Sequence, residues 1–374
     1  MKRLGKLKML GMALLGSVAS STAASAHKAQ ANDVVEVAFV LDTTGSMGGL
    51  IDGAKRKIWS IANTIVDINP DADIRMALIG YRDFGDDYVV KKFDMSADIQ
   101  NLYGNLTRFN AQGGGDTPEA VNEALHEAVK NLTWSDHAKS RKIVFLVGDA
   151  PPHMDYQGPK YPQIVKTAKN EHIIVNTVQA GDLHETTHVW KEIAQHGNGE
   201  YISLPQDGGR IVIIETPYDD DIIRLQKAID ETVVPYGNQR SQRRVKALLE
   251  SKSGATADTA VGNAKFYSKR TRSKEAITGG GDLIGDIRNG KQELSKVDEK
   301  QLPKEWQKKS AAERQALADQ LVTKRKRLEN KMAEIVKKHD DYVTKQSAEV
   351  ESGGKSSFDR SVSKVLTKQL STTY

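Results

Sequence analysis

The sequence predicts an α/β domain with a doubly wound, mostly parallel sheet, followed by a helical, partly disordered tail. Two near-continuous apolar runs, residues 34–41 and 143–147, have the pattern of strands buried on both faces. Around them, strand-like runs alternate with segments whose apolar residues recur at helical spacing. Each run is also followed closely by an aspartate, Asp42 and Asp149, at the carboxyl end where an open parallel sheet gathers its ligands.

The elements follow in order. Strand 34–41 leads to a helix over 49–67, where Leu50, Ala54, Ile58, Ile61, Ala62 and Ile65 share one face. Residues 74–80 form the next strand. The Gly85-Asp86-Asp87 turn leaves so few residues before 88–93 that this strand is expected to be a short antiparallel edge. A helix over 98–108 leads to Gly113-Gly114-Gly115, and a second over 118–132 opens on Pro118. Then come strand 142–147, helix 161–170, strand 173–179, helix 187–196, strand 200–204 and a closing helix over 219–234. Beyond it, 240–252 is basic and helix-prone, 254–262 is small and polar, and Gly279-Gly280-Gly281 marks a hinge. Residues 303–346 form the strongest helical stretch, with Lys324-Arg325-Lys326-Arg327 expected on its solvated face. The Ser/Lys-rich end, 351–374, is expected to be mobile.

In Asp42-Thr43-Thr44-Gly45-Ser46, a carboxylate and two hydroxyls stand at alternate positions in a turn and can face one point. All-oxygen ligands suit a hard divalent cation. The bland alternative, Ser46 or Thr44 as a helix cap, suffices for this segment alone. It does not account for Asp116, Thr117 and Asp149, which the fold brings to the same rim.

At these residues the chain resembles the von Willebrand factor type A domains of bacterial secreted type. Their metal-ion-dependent adhesion site reads Asp-x-Ser/Thr-x-Ser, a Thr in a Gly-rich loop, and a later Asp. Asp42, Thr44, Ser46 and Asp149 match it. Here the loop reads Gly-Gly-Gly-Asp-x-Pro-Glu, so the middle ligand is either Asp116 or Thr117, Asp116 being nearer the glycines. The resemblance covers residues 33–236. It implies Mg²⁺ (or Mn²⁺ or Ca²⁺) and a protein partner whose Glu or Asp completes the coordination, which is binding rather than catalysis. Tyr81, Arg82, Asp83, His153 and Asp155 are expected on the same rim as partner contacts, with Asp83 able to hold waters.

A second metal pattern is His184-Glu185-Thr186-Thr187-His188, which on one helix would offer two imidazoles to zinc and a Glu as base. Gly181-Asp182 just precede it, Thr186 and Thr187 look like N-cap residues and the apolar pattern begins only near Val189, so the helix is expected to start at Thr187, after His184. A metzincin-type third histidine would fall at Ala194, leaving Glu200 and Glu215 as loose alternatives. A zinc peptidase, and an envelope scaffold acting through the basic tail, are the competing functions.

Composition sets the remaining limits. The 374 residues are 38% apolar and include no cysteine, which excludes a disulfide framework, a thiol nucleophile and a lipoprotein anchor. Residues 1–26 have a cationic head, a short apolar stretch and Ala24-Ser25-Ala26, as a Sec-type signal peptide has, so a secreted or periplasmic location is expected. No transmembrane helix is expected in the mature chain. Lys and Arg exceed Asp and Glu by 12 over 237–374, whereas 27–236 carries a net −11. The sequence therefore divides into an acidic domain at 33–236 and a basic region at 237–374. The basic half suits an anionic envelope surface; nucleic acid is disfavoured by the signal peptide and the scarcity of aromatic residues.

Overall fold

A computed structural model describes residues 33–115, 117–137, 139–207, 214–270, 280–350 and 358–371. The signal-peptide reading of 1–26 lies outside them. In chain order the elements are β1 (Val34–Asp42), α1 (Gly48–Ile68), β2 (Asp73–Tyr81), β3 (Val90–Ser96), α2 (Ile99–Leu106), α3 (Val121–Lys130), β4 (Ser140–Gly148), α4 (Tyr161–Asn170), β5 (Ile173–Ala180), α5 (His184–His196), β6 (Asn198–Leu204) and α6 (Asp219–Asp230). The tail adds α7 (Gln239–Ser253), α8 (Ala257–Lys269), α9 (Leu283–Arg288), α10 (Lys304–Gln307), α11 (Ala311–Val350) and α12 (Phe358–Ser371).

The sheet order is β3-β2-β1-β4-β5-β6, parallel throughout except for the antiparallel edge strand β3. The chain leaves β1 toward β2 on one side and returns to β4 on the other. The ends of β1 and β4 therefore flank the switch point, with Val40 opposite Leu146 and Leu41 opposite Val147. Alternate residues of β1 feed opposite layers. Val35, Val37, Phe39 and Leu41 pack with α1 and α2, and Ala38 and Val40 pack with α3, α4 and α5. Within this buried strand Glu36 is fully covered, and its carboxylate accepts bonds from Arg75 at 2.7 Å and from the Ser135 N–H at 2.9 Å.

Three local expectations are revised. Helix α3 begins at Val121, not Pro118, because the Glu119 N–H bonds to Pro151 O (3.0 Å) and holds 117–120 in a turn. Helix α5 begins at His184, three residues early. The Thr187 N–H bonds to Leu183 O (3.0 Å), while the Thr186 hydroxyl, read as a cap, donates instead to Asp149 O (2.8 Å). The closing helix α6 stops at Asp230.

The larger difference lies in the tail. Helix α12 falls where a mobile end was expected, and Val362, Val365 and Leu366 join the core layer of α1. Thr64 and Ser363 share a hydroxyl bond of 2.8 Å, and the Gln369 amide pairs with buried Asn176 of β5 at 2.7 and 3.1 Å. Helix α8, read as a small polar segment over part of its length, brings Phe266 and Tyr267 against Trp59 with ring centroids 5.6 and 6.3 Å away. Gly262 permits that approach, since a Cβ there would lie 2.9 Å from Trp59 Cβ.

The basic run of α11 is not uniformly solvated. Arg325 is fully buried, donating from Nε to Thr232 Oγ1 (2.6 Å) and from both terminal nitrogens to Asp282. This pair ties α11 to the end of α6 and the start of α9. Lys326 and Arg327 are exposed.

Two consequences are measurable in denaturant. Leu366→Ala should cost about 2–5 kcal/mol, the usual range for a buried leucine. Arg325→Ala should cost about 3–5 kcal/mol by leaving Asp282 buried without its partner, whereas Lys326→Ala should stay within about 0.5 kcal/mol.

Candidate metal centre

The site is assembled by loops that bond to one another through their backbones. After β1, the Thr43 N–H bonds to Tyr81 O (2.9 Å), the Gln112 N–H to Thr43 O (3.1 Å) and the Gly45 N–H to Gly113 O (3.1 Å). The glycine loop is thereby laid against the turn that follows β1. Gly114 has φ +70°, and a Cβ there would stand 3.0 Å from both Glu119 Oε1 and Thr44 Cβ, so its lack of a side chain lets the loop close. On the other side, the His153 N–H bonds to Glu119 O (3.1 Å).

Asp42 is wholly buried beneath the site. Its Oδ1 accepts from the Thr44 N–H (2.8 Å) and the Thr44 hydroxyl (2.6 Å), and Thr44 Oγ1 lies 3.3 Å from Ser46 Oγ. Asp42 Oδ2 is buried with no hydrogen-bond partner. Above it, Thr44, Ser46, Thr117, Glu119 and Asp149 line a cavity of about 500 Å³. Five of the six residues predicted from sequence therefore meet at one place: Thr44, Ser46, Thr117 and Asp149 on the cavity wall, and Asp42 under Thr44. Asp116 lies outside the described residues.

Glu119 and Gln206 were not among the predicted ligands. Glu119 is 3% exposed and its Oε2 also has no hydrogen-bond partner. Its signal was in the Gly-Gly-Gly-Asp-x-Pro-Glu segment, two residues past Thr117. Gln206, after β6, had no signal. Its amide donates to Asp149 Oδ2 (2.6 Å) and to Ser46 O (3.2 Å), bridging two of the predicted ligands.

The charge balance fits a cation. Burial drives the Asp42 carboxyl up to about 7; the Thr44 hydroxyl bond opposes the rise and the charge of Asp149 adds to it. Burial, then the charges of Asp42, Asp83 and Asp149, pushes Glu119 up to about 9. Glu119 and Asp149 thus line the cavity, Asp42 is hydrogen-bonded to its wall residue Thr44, and Asp42 Oδ2 and Glu119 Oε2 are buried without a hydrogen-bond partner. Among the described residues, no three His, Asp or Glu side chains form a ready-made metal cluster; the hydroxyls of Thr44, Ser46 and Thr117 stand on the same cavity wall as Glu119 and Asp149.

Of the residues expected as partner contacts, most are buried and none lines the cavity. The Tyr81 hydroxyl is buried and donates to Val147 O (3.2 Å). Arg82 is buried, donates to Asn110 O (3.0 Å) and stands over the Tyr88 ring at 4.5 Å. Asp83 holds no solvent-facing position: it is buried, accepts from Tyr156 OH at 3.1 Å and faces His153 Nε2 at 3.3 Å. His153 is also buried, and of the five only Asp155 is exposed.

His184 and His188 do share α5, one turn apart, which corrects the helix start used against the zinc pattern. Both are exposed.

Residues 36–216 match the von Willebrand factor A domain family. The chain is 28% identical over 216 residues to the uncharacterized protein YwmC of Bacillus subtilis (strain 168), covering 54% of this chain and 89% of that one. It is 33% identical over 120 residues to an ariadne-like RING finger protein of Acanthamoeba polyphaga mimivirus, covering 32% of this chain and 11% of that protein. Over 127 residues it is 28% identical to the alpha-protein kinase vwkA of Dictyostelium discoideum, covering 33% and 20%. Among solved structures, the SpRpn10 VWA domain aligns with a TM-score of 0.36 at 12% identity, over 47% of this chain and 89% of that chain. Proximal thread matrix protein 1 from the mussel byssus aligns at 0.33 and 15%, over 47% and 43%. Over residues 36–216, just under half of its length, the chain is thus similar to a von Willebrand factor A domain.

The raised carboxyls set a pH dependence. A group held above its ordinary range favours the protonated fold, so its stability is fully present at low pH and is lost as pH rises through the folded value. In chelator, the melting temperature is expected to fall from pH 6 to pH 9, first through Asp42 near 7 and then through Glu119 toward 9. Asp42→Asn should flatten the lower part of that decline in calorimetry.

Proposed function

We propose that this von Willebrand factor A domain binds a divalent cation at the β1–β4 switch point and uses it to hold an acidic group of a protein partner. The observation that carries this reading is Asp42 Oδ2, a wholly buried carboxylate oxygen with no hydrogen-bond partner, under a cavity walled by hydroxyls and two further carboxyls. Burying that oxygen uncompensated is unfavourable, and a cation offsets the cost. The ligand candidates are Asp42, Thr44, Ser46 and Asp149, with the middle position taken by Asp116 or Thr117 and with Glu119 close by.

Mg²⁺ is the expected ion, Mn²⁺ and Ca²⁺ being compatible with the same oxygen set. When bound, it supplies an electrophilic coordination position that a carboxylate from outside can fill. Thr44 and Ser46 add no charge, which preserves that pull, and the Thr44 bond to Asp42 fixes the carboxylate beneath it. Extensive direct coordination by carboxylates would weaken the pull on an anionic partner. Nothing in this role requires bond making, so we read the domain as a binding module, not an enzyme. The leader-like residues 1–26 favour a secreted or periplasmic setting. The tail residues that remain exposed, Lys326 and Arg327 among them, leave room for contact with an anionic envelope surface.

The rival zinc reading draws on the shared helix of His184 and His188. Calorimetric titration of Mg²⁺, Mn²⁺ and Zn²⁺ into chelator-treated protein separates the two. One Mg²⁺ or Mn²⁺ site lost in Asp42→Ala and kept in His184→Ala is the expected result. Zinc uptake lost in His184→Ala and kept in Asp42→Ala would reject the proposal in favour of a peptidase.

A further inference from the structure

Among the described residues, the large apolar side chains left exposed are Phe84, Met154 and Leu183, at 55%, 52% and 44%. Isolated exposed apolar residues are ordinary on protein surfaces. These three share one end of the sheet: each lies in a loop at the carboxyl end of a parallel strand, after β2, β4 and β5 respectively. Leu183 lines the Asp42–Asp149 cavity itself, and its carbonyl is fixed by the Thr187 N–H at 3.0 Å and the Gln179 amide at 3.0 Å.

Phe84 and Met154 flank a preformed aromatic support. Phe84 meets Tyr156 edge-on, with centroids 4.6 Å apart, and Tyr156 stacks on His153 at 3.8 Å. The Tyr156 hydroxyl is anchored on both oxygens of Asp83, and Met154 follows His153, whose carbonyl accepts from Asn122 at 2.5 Å. Side chains already ordered lose little freedom when covered, which is the property of residues that dominate binding interfaces.

We infer that the partner presents its acidic residue with large apolar residues beside it in an extended segment, the carboxylate entering the cavity and the apolar neighbours covering Phe84, Met154 and Leu183. The inference rests on the cation reading above. Charge supplies the complementarity: with a cation in place the pocket takes an anion, and the apolar rim gives an adjacent Leu, Phe or Met somewhere to be buried. A chain segment fits better than a free small acid because the rim spans loops from three strands.

The test uses an immobilised peptide array with a central Asp, Asn, Lys or Arg between two varied positions flanked by glycines, probed with the full chain in Mg²⁺ and in chelator. Mg²⁺ uptake is titrated separately in each protein. Spots with Leu, Phe or Met beside Asp should bind at least about tenfold better than spots with Ser or Gly, and should fail with Asn at the centre or in chelator. The double variant Phe84→Ser, Met154→Ser, which leaves the cavity-lining Leu183 in place, should weaken the apolar preference while keeping Mg²⁺ affinity and Asp dependence, which also certifies its fold. Binding that needs Asp and Mg²⁺ but ignores the neighbours overturns this inference and leaves the cation reading standing. Mg²⁺ uptake with no peptide bound does the same. No Mg²⁺ uptake, or chelator-insensitive capture of Lys- or Arg-centred spots, overturns both.

Discussion

A parallel sheet whose central strands are apolar on both faces must be covered on both faces, and the rest of this structure depends on that requirement. One layer is met by α3, α4 and α5. The other begins with α1 and α2 and is extended by residues far along the chain: Phe266 and Tyr267 of α8, and Val362, Val365 and Leu366 of α12. The basic C-terminal region therefore includes part of the core of the acidic domain. The contrast in charge along the sequence does not describe how the chain packs. Polar ties such as Asn176 with Gln369 fix the position of α12 on the sheet.

The same topology makes the site. Because the strand order reverses between β1 and β4, their loops leave the sheet side by side, and Asp42 and Asp149 approach each other without being close in sequence. Backbone bonds among the β1 turn, the glycine loop and the β4 loop then close a pocket around oxygen atoms. Such a pocket is electrostatically costly by itself, as the raised Asp42 and Glu119 carboxyls express. A bound cation would offset that cost, which is the reading proposed above. Buried Asp83 and His153, with half-buried Tyr156, support the rim where Phe84 and Met154 meet solvent.

Much of this was legible in the residues. The apolar runs gave both central strands, the short spacing after Gly85-Asp86-Asp87 gave the antiparallel edge, and helix α4 falls where helical spacing placed it. Alternating oxygen side chains after residue 41 and the Asp after residue 148 pointed to one rim. Several of the misreadings share a cause: a side chain whose partner lies far away in sequence. Thr186 looked like a cap and bonds Asp149 instead; Arg325 looked solvated and finds Asp282; 351–374 looked mobile because nothing local shows that α1 offers a face for α12.

The sequence by itself determined the layer pattern, the strand ends and the chemistry of the oxygen ligands, because periodicity and residue type are local properties. Only the tertiary structure decided which carboxylates crowd together, that Glu119 and Gln206 join them, and which apolar side chains stay uncovered around them. Those are consequences of strand order and loop contact, and they depend on distances between segments that no local pattern encodes.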